Sequence, residues 1–199
     1  TGTFDSAVFG AVTLGDVNGD GRLDLITANS GANTVSVLLG TGGSANWANF
    51  SPQQTFTTGA SPRSVAMGDV NNDGKLDLIT ANYDGSTASV LLGSGDSTFQ
   101  TQVTYATGTD PLAVTLADVN SDGKLDIIAA NSGAASVSVL LGSGTGTFST
   151  KTDFTTGTTP SGVTLGDVNG DGRLDLITAN YGSANASVLL GNGDGTFRA

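Results

Sequence analysis

The chain has 199 residues, of which 37% are hydrophobic and 30 are glycine, and it carries 18 acidic against 7 basic side chains. Its net charge of −11 repels nucleic-acid phosphates, which argues against a DNA- or RNA-binding protein. The absence of cysteine and histidine excludes disulfides, zinc sites built on those residues and catalysis by either side chain. No stretch approaches about 20 apolar residues, so the sequence predicts no membrane span.

One 15-residue segment recurs four times along the chain. Its copies align without gaps and read GDVNGDGRLDLITAN (15–29), GDVNNDGKLDLITAN (68–82), ADVNSDGKLDIIAAN (117–131) and GDVNGDGRLDLITAN (166–180). Self-similarity at such a period is typical of repeat architectures. We therefore predict a single domain, 1–199, whose four repeats span approximately 1–49, 50–98, 99–147 and 148–199.

Each repeat contains four predicted strands. In the second repeat these are SVAMGDV (64–70), LDLITAN (76–82), ASVLLG (88–93) and TFQTQVTYATG (98–108), which are rich in Val, Ile, Leu, Thr and Phe and separated by turn residues. No window has a helical period. A unit of this size with four antiparallel strands matches a propeller blade, and a lone blade cannot bury both faces. The predicted fold class is all-β, a β-propeller with four blades of four antiparallel strands.

The two chain ends fall at the same phase of the repeat, TGTF at 1–4 and GDGTFRA at 193–199, so the last repeat lacks its fourth strand. A strand near Thr3–Phe9 could supply it and close a four-bladed ring within a monomer, which is the slightly favoured arrangement. The alternative leaves an unpaired edge that invites a second copy, so that the chain is half of a larger propeller in a homodimer.

The recurring segment contains a loop with the pattern Asp-x-Asn-x-Asp-Gly-x-x-Asp. In the second repeat, Asp69, Asn71, Asp73 and Asp77 at positions 1, 3, 5 and 9 offer side-chain oxygens, while Lys75 at position 7 offers its carbonyl. The glycine at position 6 permits a sharp turn around an ion. Such oxygen-only ligands suit Ca²⁺ better than Mg²⁺, which demands stricter geometry, or Zn²⁺, which prefers nitrogen and sulfur. The sequence predicts about four Ca²⁺ ions, one for each repeat.

Two simpler explanations of the loop compete with a metal site. Asp and Asn also form ordinary turns, but three carboxylates in nine residues repel each other unless a cation neutralises them, and the same positions recur four times. An EF-hand needs a Glu at position 12 and flanking helices, whereas position 12 is Thr27, Thr80, Ala129 and Thr178. Four bound Ca²⁺ ions would move the net charge from −11 to −3.

The pattern Pro-x-x-Val-x-x-x-Asp-Val-Asn-x-Asp-Gly-x-Leu-Asp-(Leu/Ile)-Ile, followed by SVLLG and GTF, resembles the FG-GAP/VCBS repeat of integrin-α-type β-propellers and many bacterial secreted proteins. The resemblance covers essentially the whole chain, although propellers of that family usually have about seven blades. It implies four Ca²⁺ ligand sets, with the carbonyl used at position 7. These sets are Asp16, Asn18, Asp20, Arg22 and Asp24; Asp69, Asn71, Asp73, Lys75 and Asp77; Asp118, Asn120, Asp122, Lys124 and Asp126; and Asp167, Asn169, Asp171, Arg173 and Asp175.

The resemblance also implies a non-catalytic binding, adhesion or scaffold module that is secreted or on the cell surface, with structural Ca²⁺ and a protein or glycan ligand. The alternatives are a lectin or a propeller-type carbohydrate-active enzyme, either a polysaccharide lyase or a hydrolase. Catalysis is disfavoured because glycosidases typically use two placed carboxylates, and most aspartates lie in the repeated loops. Trp47 could stack on a sugar ring or fill a gap between blades.

Overall fold

The structure is a computed structural model that describes residues 11–43 and 49–198. The described residues contain no helix, and hence no helical segment that could cross a membrane. The strands are β1 (Val12–Gly15), β2 (Asp24–Asn29), β3 (Thr34–Leu38), β4 (Gln54–Thr57), β5 (Pro62–Gly68), β6 (Asp77–Asn82), β7 (Thr87–Leu91), β8 (Val103–Ala106), β9 (Pro111–Ala117), β10 (Asp126–Asn131), β11 (Ser136–Leu140), β12 (Thr152–Thr155), β13 (Pro160–Gly166), β14 (Asp175–Asn180), β15 (Asn185–Gly191) and β16 (Phe197–Arg198).

The strands form four antiparallel sheets of four, each built from consecutive strands and each corresponding to one repeat. We call them blade 1 (β1–β4), blade 2 (β5–β8), blade 3 (β9–β12) and blade 4 (β13–β16). Cross-strand pairs of apolar side chains set the register, as where Leu78 lies opposite both Met67 and Leu91. The prediction of an all-β protein with four blades of four antiparallel strands is confirmed.

The fourth strand of each blade is shorter than the sequence predicts. In blade 2 the expected strand 98–108 reduces to β8, and Phe99 makes only an isolated bridge to Gly93. The pairing register shifts by one residue between the Gly93–Phe99 bridge and the Val90–Val103 pair, and this irregularity interrupts the ladder.

Blade 4 ends in a strand of a different kind from β8. The short strand β16 pairs with Leu190 and Gly191, at the position of the Gly93–Phe99 bridge of blade 2. Within the described residues, blade 4 therefore has no strand equivalent to β8, as expected for the last repeat. The strand expected near Thr3–Phe9 lies outside the described residues.

The hydrophobic core is divided into layers between successive blades. Val70, Ile79 and Val90 of blade 2 pack against Val114 and Ile127 of blade 3, all of them buried. Equivalent layers lie between blades 1 and 2 and between blades 3 and 4. Blades 2 and 3 thus each bury one face against the preceding blade and the other against the following blade, which fixes the blades in chain order.

The outward faces of the first and last blades remain exposed. Val168 of blade 4 is 58% exposed, whereas the equivalent Val70 of blade 2 is 1% exposed. At the other end, Val12 of blade 1 is 61% exposed, whereas the equivalent Val65 is 7% exposed. In the described part of the chain, blade 4 and blade 1 share no apolar layer. The alternative arrangement, in which two copies form a larger propeller, predicts such exposed faces, whereas the slightly favoured closed ring depends on a strand near Thr3–Phe9 that lies outside the described residues.

Candidate metal centres

The four acidic loops, 16–24, 69–77, 118–126 and 167–175, connect the first and second strands of their blades, so all four lie at the same end of the sheets. Each loop turns sharply at its position-6 glycine. The φ angles of these glycines lie in the left-handed region, at 82° for Gly21, 81° for Gly74, 80° for Gly123 and 82° for Gly172. Glycine adopts this conformation without steric cost, which is why the loop can wrap back on itself in so few residues.

The position-1 carboxylate lies inside the curve of the loop and accepts backbone hydrogen bonds with both oxygens. Asp69 Oδ1 accepts the N–H of Asp73 at 3.1 Å, and Asp69 Oδ2 accepts the N–H of Gly74 at 2.7 Å. The same pair of bonds occurs in the other three loops. The N–H groups of Gly21 and Gly172 lower the pKa of Asp16 and of Asp167, so the folded loop favours the charged carboxylate.

Positions 3 and 5 extend this inward-facing set of oxygens. Asn71 Oδ1 accepts the N–H of Asp73 at 3.1 Å, and Asp73 Oδ1 accepts the N–H of Lys75 at 3.0 Å. These short side-chain bonds to nearby backbone are a common way for Asn and Asp to shape turns. In loop 16–24 the position-7 side chain also contacts position 5, with Arg22 Nη2 lying 2.6 Å from Asp20 Oδ2. Side chains at positions 1, 3 and 5 therefore all act on the backbone of their own loop.

The position-9 aspartates are fully buried and connect the loop to a distant part of the blade. Asp77 Oδ2 accepts the N–H of Val70 at 2.9 Å, while Asp77 Oδ1 accepts the N–H of Gly93 at 2.7 Å. We call the four equivalents, Asp24, Asp77, Asp126 and Asp175, the clamp aspartates. Burial raises the pKa of Asp77, and the neighbouring carboxylates of Asp73 and Asp69 raise it further. Bound backbone donors hold each clamp carboxylate in one orientation.

The contact between the position-9 aspartate and a distant glycine was not predicted from the sequence, although a regular spacing between the two residues indicates it. Each position-9 aspartate precedes by 16 residues the glycine that ends the SVLLG-type strand, as Asp77 precedes Gly93. That glycine is required sterically, because a Cβ on Gly93 would lie 2.2 Å from the carbonyl oxygen of Leu76. Equivalent overlaps occur at Gly40, Gly142 and Gly191. A fixed spacing between a carboxylate and a glycine thus reflected a buried contact.

The loops fit Ca²⁺ in the chemistry of their donors. Every side-chain candidate is a carboxylate or amide oxygen, and position 7 adds a carbonyl, which are the ligands that Ca²⁺ prefers. Within the described residues, no three acidic side chains converge closely enough to hold an ion as they stand. In all four loops the clamp carboxylate accepts backbone N–H groups, and in loop 16–24 the position-5 carboxylate faces Arg22.

Four aspartates outside the acidic loops accept hydrogen bonds from nearby residues. Asp96 and Asp194 accept bonds from the backbone and hydroxyl of Thr98 and of Thr196, which shapes the hairpin between the third strand and Phe99 or Phe197. Asp153 accepts bonds from Ser138 and Lys151, and Asp84 accepts one from Ser61. Asp5 and Trp47 lie outside the described residues.

At the end of the blades opposite the acidic loops, the turns between second and third strands carry two tyrosines. The guanidinium carbon of Arg63 lies 5.0 Å from the centre of the Tyr83 ring, within the range of a cation–π contact. Tyr181, at the equivalent place in blade 4, is 81% exposed. This end therefore presents Tyr181 to solvent, while Tyr83 is half-buried.

Comparison with protein families gives matches along most of the chain. The model of the FG-GAP-like repeat matches three overlapping stretches, residues 16–80, 69–129 and 118–178. Each stretch begins at the first aspartate of an acidic loop and extends into the second strand of the next blade. No curated protein matches the chain.

Solved structures with similar folds are about twice as long or longer. An Agrocybe aegerita lectin that recognises non-reducing terminal N-acetylglucosamine has a TM-score of 0.61 at 20% identity, over 97% of this chain and 52% of the lectin. BBS1N in complex with ARL6DN has a TM-score of 0.63 at 12% identity, over 94% of this chain and 54% of that one. The V. cholerae biofilm matrix protein Bap1 has a TM-score of 0.51 at 22% identity, over 96% and 30%. The chain therefore spans about half the length of the first two.

Proposed function

Because the chain belongs to the FG-GAP-like repeat family, we propose that it is a Ca²⁺-binding β-propeller module whose ions stabilise the blades and which binds a ligand without catalysis. The observation that carries this proposal is the recurrence of one loop geometry. In all four blades the position-1 carboxylate accepts the same two backbone bonds, and the position-6 glycine has the same left-handed conformation.

Electrostatic repulsion among the carboxylates of each loop supports the binding of a cation. Three carboxylates lie within nine residues, and the carboxylates of Asp73 and Asp69 raise the pKa of Asp77 in addition to its burial. A divalent cation would supply the compensating positive charge and accept the remaining lone pairs of the loop oxygens. The position-7 side chain of loop 16–24 takes part of that role in this structure, through the contact of Arg22 with Asp20.

Structural Ca²⁺ of this kind makes a measurable contribution to stability. Extracellular modules bind Ca²⁺ with Kd values of about 10⁻⁴–10⁻³ M, so millimolar Ca²⁺ at the tighter end contributes about 1.5 kcal/mol per site. Four sites together contribute about 6 kcal/mol, comparable with the stability of a whole domain. Cytosolic Ca²⁺ is too low to fill such sites, and we therefore place the protein outside the cell or on its surface.

Calorimetric titration of the chelator-treated protein with Ca²⁺ tests the metal proposal directly. We expect about four ions for each wild-type chain and one fewer for Asp69→Ala, which removes the position-1 ligand of one loop. Asp96→Ala is the matched control, because Asp96 also accepts backbone and hydroxyl bonds in a turn but lies outside the acidic loops. Equal stoichiometry in wild type and Asp69→Ala, or no binding by wild type, would count against the proposal.

The ligand is proposed to be a protein or a glycan. Fold similarity to a lectin and to a protein that forms a complex with ARL6DN supports these two classes. The end of the blades with Tyr83 and Tyr181 offers aromatic side chains for stacking on a sugar ring or packing against a protein. A glycan array separates the two classes, since a lectin gives specific signals that Tyr181→Ala weakens. Turnover of a polysaccharide substrate by the wild-type protein would contradict the non-catalytic assignment.

A further inference from the structure

Each apolar layer between successive blades has two sides, one from the preceding blade and one from the following blade. The outward faces of blade 4 and blade 1 carry the side chains of these two sides. The last face, which we call the C-face, contains the side chains of blade 4 that would meet a following blade: Val168, Ile177, Ala179, Ala186 and Val188. The first, which we call the N-face, contains the side chains of blade 1 that would meet a preceding blade: Val12, Leu14, Leu23, Leu25 and Leu38. Both faces are predominantly apolar.

The C-face has the composition of a surface that is buried in every other blade. Val188 is 46% exposed, but its equivalents Val37, Val90 and Val139 are at most 2% exposed, because a following blade covers them. A shallow groove runs across the same face of blade 4, lined by residues that include Thr164 and Ile177. Contiguous exposed apolar surface of this kind is typical of interaction sites.

The N-face carries side chains whose equivalents in blades 2 and 3 pack against the preceding blade. Leu14 and Leu23 are 53% and 60% exposed. Their equivalents in blade 2, Met67 and Leu76, lie against Gly15 of blade 1, where a Cβ on the glycine would come within 2.5 Å and 3.2 Å of them. Leu116 and Leu125 of blade 3 meet Gly68 of blade 2 in the same way, at 2.8 Å and 2.7 Å.

In blade 4, the glycine at the position that leucines of a following blade would contact is Gly166, and it has open space around it. No heavy atom lies within 4 Å of a Cβ built on Gly166, the equivalent of Gly15 and Gly68. The structure thus has three filled layers between blades and, on its two ends, the two unmatched halves of a fourth of the same design.

We infer that the C-face of one chain docks onto the N-face of a second copy, and that two copies close into one eight-bladed ring. The interface continues the layers already present between blades, with Leu14 and Leu23 of one copy seated over Gly166 of the other. Head-to-tail contacts of this kind form closed rings when the rotation per subunit permits it.

Molecular mass in solution, measured by sedimentation at several concentrations in the presence of Ca²⁺, tests the inference on the full chain. We expect a particle of twice the 19.7 kDa chain mass that does not grow further with concentration. A monomer at every concentration would overturn the inference, and so would open-ended polymers, which show that the contact does not close.

Substitutions at Gly166 provide a matched pair. Gly166→Arg places a charged side chain where the partner's leucines would sit, and we expect it to halve the particle mass without changing the circular dichroism spectrum, because the position is open in the single chain. Gly166→Ala is the control, since the equivalent residue of blade 3 is Ala117, and it should keep the doubled mass. Val188→Asp is a second variant of the same face, with the same expected result. A doubled mass in folded Gly166→Arg or Val188→Asp contradicts the inference.

A mixing experiment distinguishes head-to-tail docking from docking of two like faces. Leu14→Arg damages the N-face alone, and Gly166→Arg damages the C-face alone, so each variant by itself should be monomeric. A mixture retains one intact contact, between the C-face of the first variant and the N-face of the second, and should recover particles of doubled mass. Recovery of doubled mass by Leu14→Arg alone would show that two C-faces pair with each other, and would overturn the head-to-tail arrangement.

Discussion

Removing one clamp aspartate is expected to destabilise the blade that contains it even in the absence of metal. Asp77→Ala leaves the N–H groups of Val70 and Gly93 without their acceptor, and both hydrogen bonds are buried. An unsatisfied buried donor costs about 1–3 kcal/mol, so the free energy of unfolding should fall by about 2–6 kcal/mol. The lower half of this range is expected, because burial raises the pKa of Asp77 and removing its charge recovers part of that penalty.

Urea denaturation in EDTA isolates this effect, since the chelator removes any contribution of bound metal. Asp175→Ala is the matched control from blade 4, where Val168 is 58% exposed and water can reach the N–H group that Asp175 releases. Its loss should be about half of the roughly 2–4 kcal/mol expected for Asp77→Ala, or about 1–2 kcal/mol. Equal losses in the two variants, or a loss below about 1 kcal/mol for Asp77→Ala, would refute the assignment of position 9 as a buried clamp.

Three further perturbations follow from the structure. EDTA should lower the melting temperature in differential scanning calorimetry by more than about 10 °C, because about 6 kcal/mol of linked stability is lost, and an unchanged melt would argue against structural Ca²⁺. Gly93→Ala should abolish or severely reduce folding yield, since its Cβ would lie 2.2 Å from the oxygen of Leu76, whereas a soluble variant with wild-type stability would contradict this steric argument. Phe197→Ala should cost about 3–4 kcal/mol in urea, because Phe197 is buried in edge-to-face contact with Phe154, whereas the more exposed Phe50→Ala should cost much less; equal losses would contradict the role of burial.

The fold class and the blade pattern could be predicted because each of the four repeats contains the same order of strands and turns. Strands alternate with glycine-rich turns at the same places four times, so local ambiguity in one copy is resolved by the others. Strand ends were less predictable, as in the stretch 98–102, which has strand-forming residues but contains a one-residue shift of the pairing register. Such an irregularity depends on how two strands pair across the sheet, which the propensities of single residues do not specify.

The acidic loops could be located from the sequence, but the different structural roles of their aspartates could not be predicted. Asp69 and Asp77 belong to one motif, yet Asp69 lies in the exposed turn while Asp77 is buried and bonded to a residue 16 positions away. The burial of a carboxylate depends on which residues pack over it in the folded protein, and a local sequence motif does not specify those residues. The exposed faces of blades 1 and 4 illustrate the same limit, because Val168 and Val70 occupy closely similar sequence contexts, yet a following blade covers Val70 whereas Val168 is exposed.

Crystals grown in millimolar Ca²⁺, with anomalous diffraction data to locate the ions, test most directly the claim that each acidic loop holds one Ca²⁺. The account predicts one anomalous peak in each loop of the chain, surrounded by oxygens of positions 1, 3, 5 and 9 and the position-7 carbonyl at about 2.3–2.6 Å. Loops without such peaks at that Ca²⁺ concentration, in an otherwise well-ordered structure, would contradict it.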